Sequence, residues 1–131
     1  MKFNPLSFLN RAEDYYRFIN EYELPSSKMK MYFEVSEQAL KAILFYFGIE
    51  SHSGSHQLQK SARDNQTLLA TIWSDLDPLL NDYPKLYKWR NESYTHNDAP
   101  PVSYPPILDS DLEMGKRVAD GLLIIARRLL T

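Results

Sequence analysis

The stretch Arg90-Asn91-Glu92-Ser93-Tyr94-Thr95-His96 brings a guanidinium and an imidazole into one short segment. An imidazole, with a pKa near ~6.5, can give or take a proton around neutrality. A guanidinium can grip phosphate oxygens through two parallel hydrogen bonds. Five residues separate Arg90 from His96. On a continuous helix six steps leave the two side chains about 120° apart. They converge only where the helix ends or bends near Thr95, which the following Asn97-Asp98-Ala99-Pro100 run favours. Each residue also has a plainer reading: Arg90 as a salt-bridging helix cation, Asn91 as a surface or capping residue, His96 as an exposed loop histidine.

Other constellations carry less chemistry. His52 and His56 have the spacing of a helical metal pair, but Gly54 and two serines lie between them and the glutamate of a zinc-protease motif is missing. His56 reads better as a residue at a helix start bonding locally, and no metal site is expected. Asp75-x-Asp77 and Asp109-x-Asp111 lack the preceding strand and Gly-Ser loop of nucleotidyltransferase carboxylate pairs, so helix capping accounts for both. There is no Gly-x-x-x-x-Gly-Lys phosphate loop and no Glu-x-x-His diiron pattern. The nine tyrosines and two tryptophans could stack bases, but most fall on helical stripes and read as core.

Composition narrows the class. The 131 residues suit one domain, residues 1–131, with 44% apolar and 24% charged residues, close to ordinary globular usage. Four glycines suit helices better than a turn-rich sandwich. With no cysteine there are no disulfides or thiolate metal sites. The opening Met1-Lys2-Phe3-Asn4-Pro5 lacks the apolar run of a signal peptide, and Arg127-Arg128 interrupt the most apolar stretch, so a cytoplasmic protein without a membrane span is expected. A net charge of −2 and a pI near 5.9 argue against a binder held mainly by phosphate contacts. Any nucleic-acid contact must be local and transient, or assembled from two chains.

The elements that must position these residues follow from helical periodicity. Phe8, Ala12, Tyr15 and Ile19, widened by Leu9 and Tyr16, predict a first helix over Leu6–Tyr22. Leu24-Pro25-Ser26-Ser27 stops it, with Ser26 or Ser27 as the next N-cap. The second helix, Lys28–Phe47, is apolar on both flanks and should be central, with Gly48 left-handed after its last turn and Glu37–Lys41 an exposed pair. Ser51-His52-Ser53-Gly54-Ser55 forms a loop and cap for a third helix from His56, striped by Leu58, Ala62, Asn65 and Leu69. Gln66–Trp73 continues it or makes a separate turn. Asp77-Pro78 predicts an N-cap with Pro at N1, opening a short helix through Leu79 and Leu80. Pro84 should then force a further helix to start near Asp82–Pro84, carrying Leu86, Trp89, Arg90 and Ser93. Four prolines in Asn97–Leu108 predict an extended loop, and Ser110-Asp111-Leu112-Glu113 a capping box opening the last helix. Leu112, Gly115, Ala119, Leu122, Ile125 and Leu129 are its buried stripe, with Gly115 and Ala119 small enough for close helix approach. The expected fold is all-α, an up-and-down bundle of four to five helices.

In this order the features resemble the HEPN (higher eukaryotes and prokaryotes nucleotide-binding) domain family. The likeness rests on Ala39-Leu40-Lys41-Ala42-Ile43-Leu44 followed by Gly48, then His56-Gln57-Leu58, the Arg90–His96 motif and the closing helix after Ser110. It covers nearly the whole chain and implies a HEPN-like bundle. Many members look like metal-independent ribonucleases with an Arg, a short spacer and a His. The resemblance thus implies Arg90, Asn91 and His96 as catalytic candidates, with Lys85, Lys88 and Tyr94 as nucleic-acid contacts and no cofactor. Such cleavage needs a base for the 2′-hydroxyl, an acid for the departing 5′-oxygen and a cation for the phosphorane. A homodimer with two His96 side chains around one phosphate would supply both proton carriers. The implied setting is a toxin–antitoxin or defence pair. Other members look like non-catalytic modules, with Arg followed by Tyr and Pro, that pair with a separate small nucleotidyltransferase or bind nucleotide. Arg90 and Tyr94 with prolines downstream suit them equally, and a purely structural helical dimer is a third option.

Overall fold

The computed structural model describes residues 4–50, 55–91 and 107–131, with side chains throughout except at 55–57 and 88–91. Five helices make up the described chain: α1 Pro5–Arg17, α2 Pro25–Tyr46, α3 Ser55–Asp64, α4 Trp73–Asn91 and α5 Asp109–Leu130. Among the described residues there is no strand, and no helix is long and apolar enough to cross a membrane. The all-α expectation is met. The Ser51–Gly54 loop and most of the Asn97–Leu108 loop lie outside the described residues.

Local chemistry explains where the helices begin and end. Asn4 accepts a hydrogen bond from the Leu6 amide at 2.9 Å, and Pro5 takes the first helical position, where its missing N–H is no loss. α1 stops at Arg17, short of the expected Tyr22. The chain tightens instead into a 3-10 turn, Ile19–Glu21, which still delivers Ile19 to the core. α2 begins at Pro25 and not at a serine cap: Leu24 precedes it without a side-chain bond, and Ser26 and Ser27 lie inside the first turn. Proline, with φ already helical, takes precedence over the expected caps. Gly48 closes α2 at φ +76°, as expected. The Ile49 amide reaches the Leu44 carbonyl at 2.9 Å and the Gly48 amide the Phe45 carbonyl at 3.1 Å, the pair of bonds that defines a Schellman end.

α4 corrects the expectation of two helices. Trp73–Asn91 is one helix with Pro78 and Pro84 inside it. Pro84 cannot donate to the Leu80 carbonyl, and that carbonyl instead accepts from Gln59 Nε2 of α3 at 3.3 Å. Pro78 would have donated to Ser74, an exposed residue near the helix start where water can serve. Asp77 does not cap; it binds Arg63 of α3 at 2.9 Å, while Asn81 takes the other guanidinium nitrogen at 2.7 Å. Tertiary partners thus stand in for what the prolines remove. α5 also opens earlier than its expected Ser110 cap. Leu108 precedes it, and Asp111 returns to accept from the Leu108 amide at 2.9 Å, half of a capping box.

Cross-helix contacts fix the topology. Phe8 near the start of α1 stacks on Phe45 near the end of α2, with ring centroids 5.2 Å apart, so α1 and α2 are antiparallel. Glu13 meets Arg127 and Tyr16 meets Asp120, which makes α1 and α5 antiparallel. Asp82 meets Arg117 while Leu79 lies against Gly121, so α4 and α5 are antiparallel as well. α1, α2, α4 and α5 therefore run down, up, down, up, and α3 bridges α2 to α4 across the outside. Among the described residues one contiguous core occupies the middle, and α2 supplies its largest share: Met29, Phe33, Leu40, Ile43 and Leu44 are fully enclosed. Glu37 belongs to this buried surface, not to the exposed pair expected with Lys41, whose ammonium lies over the Phe8 ring at 5.8 Å. At Gly115 a Cβ would sit 3.2 Å from Tyr32, so the small residue expected to admit close approach does so against α2.

Two substitutions test this packing. Phe33→Ala should destabilise the protein by about 3–5 kcal/mol in urea unfolding, the usual cost of truncating an enclosed aromatic. Gln59→Ala should cost about 1 kcal/mol. In a Pro84→Ala background, where residue 84 can donate to Leu80 itself, that cost should largely vanish; equal costs in both backgrounds would refute the substitution of Gln59 for the missing amide.

Candidate functional site

α4 leads to the segment singled out by the sequence. Its inward face carries Leu76, Leu80, Tyr83 and Leu86, all fully buried. Phe33 of α2 holds this face, with Tyr83 stacked on it at 6.0 Å and Tyr87 edge-on at 6.0 Å. Helical register sets position 90 about 20° from Tyr83 and about 40° from Leu86, in line with that face. Positions 85 and 88 stand about 140° and 160° from position 90, on other sides of the helix. The backbone of α4 is described through Arg90 and Asn91. The side chains of Lys88, Arg90 and Asn91 lie outside the described residues, as do Tyr94, His96 and His52 altogether.

Lys85 is described, and it is committed. Its ammonium binds Asp82 at 3.0 Å, and the other oxygen of Asp82 accepts from Arg117 of α5 at 2.8 Å. The Arg117 hydrogen bond, followed by Lys85, holds the Asp82 carboxyl below the ordinary aspartate range despite its partial burial. Asp82 is therefore a clasp between α4 and α5, positioned about two turns before the candidate motif.

The topology gathers the end of α1, the start of α2, the end of α4 and the start of α5 at one end of the bundle. Two helix N-termini, with their positive partial charge, thus stand at the end to which α4 leads. That of α5 is offset by Asp109 and Asp111. That of α2 has no acidic residue in its first turn and is followed by Lys28 and Lys30. The same end has an open cleft of about 630 Å³ between α1 and α2, lined by Tyr15, Phe18, Glu21, Tyr22, Lys30, Met31 and Glu34. Sequence reasoning missed it. It assigned Tyr15 to the core and ran α1 on through Tyr22, whereas the 3-10 turn leaves Phe18 and Tyr22 exposed. No group of three or more histidines, aspartates or glutamates that could hold a metal occurs among the described residues.

A second polar seam joins α1 to α5. The Tyr16 hydroxyl donates to Asp120, whose other oxygen takes Lys116 at 3.0 Å, and Arg127 binds Glu13 at 2.6 Å. Burial first, then the Asp120 hydrogen bond, pushes the Tyr16 phenol up to about 12. Burial also raises Tyr32 nearby. The seam reads as structural: each group is matched by a partner, and the open cleft that Lys116 and Asp120 line with Glu113 and Arg117 leaves those pairs intact. Folding favours the protonated phenol, so its contribution is complete below pH 10, the unfolded value, and disappears as pH climbs towards about 12. Urea unfolding of the native protein should show stability falling across that window. Tyr16→Phe should flatten the fall by up to roughly 1 kcal/mol after solvent screening; an unchanged pH profile would show that Tyr16 does not drive it.

With this geometry established, comparison with known proteins adds no kinship: no protein-family model matches the chain, and no curated protein or solved structure matches it.

Proposed function

We propose that this chain is a HEPN-type domain that acts on RNA in the cytoplasm as a metal-independent ribonuclease, working as a homodimer in a toxin–antitoxin or defence pair. The observation that supports this reading is the unbroken run of α4 through Asn91, which carries the positions of Arg90 and Asn91 to the bundle end where α2 and α5 begin. Residues there meet an electrostatic setting suited to phosphate, since the first turn of α2 offers unneutralised amides. In this reading Arg90 anchors the scissile phosphate with Asn91 beside it, and His96 from each of two copies serves as base and acid. A net charge of −2 fits an enzyme that grips its substrate locally better than a scaffold that coats it.

One observation favours the second reading, a non-catalytic module pairing with a small nucleotidyltransferase or holding nucleotide. Lys85, the cation of α4 whose side chain is described, is bound to Asp82 and so is not poised for phosphate. The discriminating experiment measures cleavage of a single-stranded RNA in chelator by the native protein, Arg90→Ala and His96→Ala, with circular dichroism to verify folding. Loss of a proton carrier should lower the rate by about 10²–10⁴-fold, with a comparable loss at Arg90. Unchanged cleavage in both variants would sink the nuclease reading, and tight binding of a nucleotidyltransferase without cleavage would establish the module.

A further inference from the structure

Glu113, Arg117, Gly121, Ile124 and Arg128 form one stripe on α5, within about 80° of one another around the helix. The stripe faces away from the core: Ile124 is 44% exposed, and Glu113, Arg117 and Arg128 are exposed beside it. An open cleft runs along each side. One, of about 290 Å³, lies towards α4, with Pro78 and Leu79 in its wall. The other, of about 460 Å³, has Lys116 and Asp120 in its wall. Arg117, Gly121 and Ile124 line both clefts, so Ile124 stands as a ridge between two troughs. Gly121, with no side chain, makes a dip beside that ridge, and Leu79 gives the dip an apolar wall. Helices pack by setting a ridge of one into a groove of the other.

Charge decides what fits. Along α5, Lys116 is matched by Asp120, Arg117 by Asp82 and Arg127 by Glu13. Glu113 and Arg128, at the two ends of the stripe, are not paired among the described residues. Asp75 shares a cleft with Arg128 without bonding it, and as a first-turn residue it is stabilised by the N-terminus of α4. With its other cations neutralised, the face offers no basic stretch to a phosphate chain. Its pattern is instead complementary to itself. Glu113 lies eight residues before Gly121, and Arg128 seven after it. An antiparallel copy, related by a two-fold axis beside Gly121, therefore sets each Glu113 opposite the other copy's Arg128. The same register lays each Ile124 beside the other copy's Gly121 dip. A parallel copy would set Glu113 against Glu113 and Arg128 against Arg128, which repel.

We propose that this face pairs two copies of the chain, α5 against α5 and antiparallel, through two Glu113–Arg128 ion pairs around a centre of Ile124 and Gly121. The pairing goes beyond the ribonuclease reading and does not rest on it. It sets the two α4 ends at opposite ends of the pair and leaves both uncovered, so a dimer built around His96 uses another face.

Sedimentation of the full-length protein across a dilution series measures association. Ile124→Asp, at an exposed position and expected to fold, should abolish the α5 contact. Glu113→Arg and Arg128→Glu should each weaken it by roughly 10-fold, since every reversal creates two like-charged pairs. The double variant, with both charges exchanged, should regain near-native association. If the chain also associates through another face, these variants should remove one step and leave the other. The chain has no cysteine, so Ser110→Cys carries a single nitroxide label. Antiparallel pairing should place the two labels about 30–40 Å apart, a separation lost in Ile124→Asp. Four results would overturn the proposal. These are a native chain that never associates, unchanged association of Ile124→Asp, a double variant as weak as the single ones, and labels only about 10–20 Å apart, as parallel helices would set them.

Discussion

Burial of α2 is the constraint on which the rest of the structure depends. Its buried residues lie on several flanks, and Met29, Phe33, Val35, Ala39, Leu40, Ala42, Ile43 and Leu44 can leave water only if helices cover those flanks at once. α1, α4 and α5 supply that cover, and their mutual orientations follow from it. Close contact is possible because the covering faces are shaped for it: Gly115 lets α5 settle against Tyr32, and Ala12 and Ala119 are likewise fully enclosed. A bundle wrapped round one central helix needs no disulfide or metal to close it.

α4 shows how tertiary contacts can override local preference. Two prolines in nineteen residues argue for a break, since each deletes a backbone donor and crowds the preceding turn. The helix survives because its inward residues pack against Phe33, because Gln59 serves the carbonyl that Pro84 leaves open, and because Arg63 clamps Asp77 and Asn81. Continuity matters beyond stability. It sets the register by which position 90 follows Tyr83 and Leu86, and separates it from the sides occupied by Lys85 and Lys88.

Electrostatics divides the bundle surface by task. Arg63, Lys85, Arg117 and Arg127 each meet a carboxylate of another turn or another helix, so these cations hold the fold together. Such exposed pairs contribute little stability individually, and their value is directional: they specify which turn of α5 faces which turn of α1 and α4. The α1–α2 cleft differs in character, with Tyr15, Phe18 and Tyr22 among its lining.

The sequence by itself determined the helices, because amphipathic periodicity is a property of residues three and four apart. The stripes of Phe8 and Ala12, of Leu58 and Ala62, and of Gly115, Ala119 and Leu122 are buried as their spacing required, whereas α3 ends at Asp64 and Leu69 reaches the core from the turn that follows. The glycine end of α2 and the charge bias of α5 were legible for the same reason: caps and dipoles act within a single turn. Of the candidate site, the motif was legible as residue types, and the structure adds the helix that leads to Arg90 and Asn91 and the clasp that engages Lys85. Only the tertiary structure could decide that α4 runs on through its prolines, that Glu37 is buried, and that a cleft opens beside Tyr22. Each depends on groups distant along the chain, as do the pairs Tyr16–Asp120 and Glu13–Arg127, separated by 104 and 114 residues. Local spacing fixes which face of a helix is apolar; the neighbour that covers that face is set by how all the helices pack together.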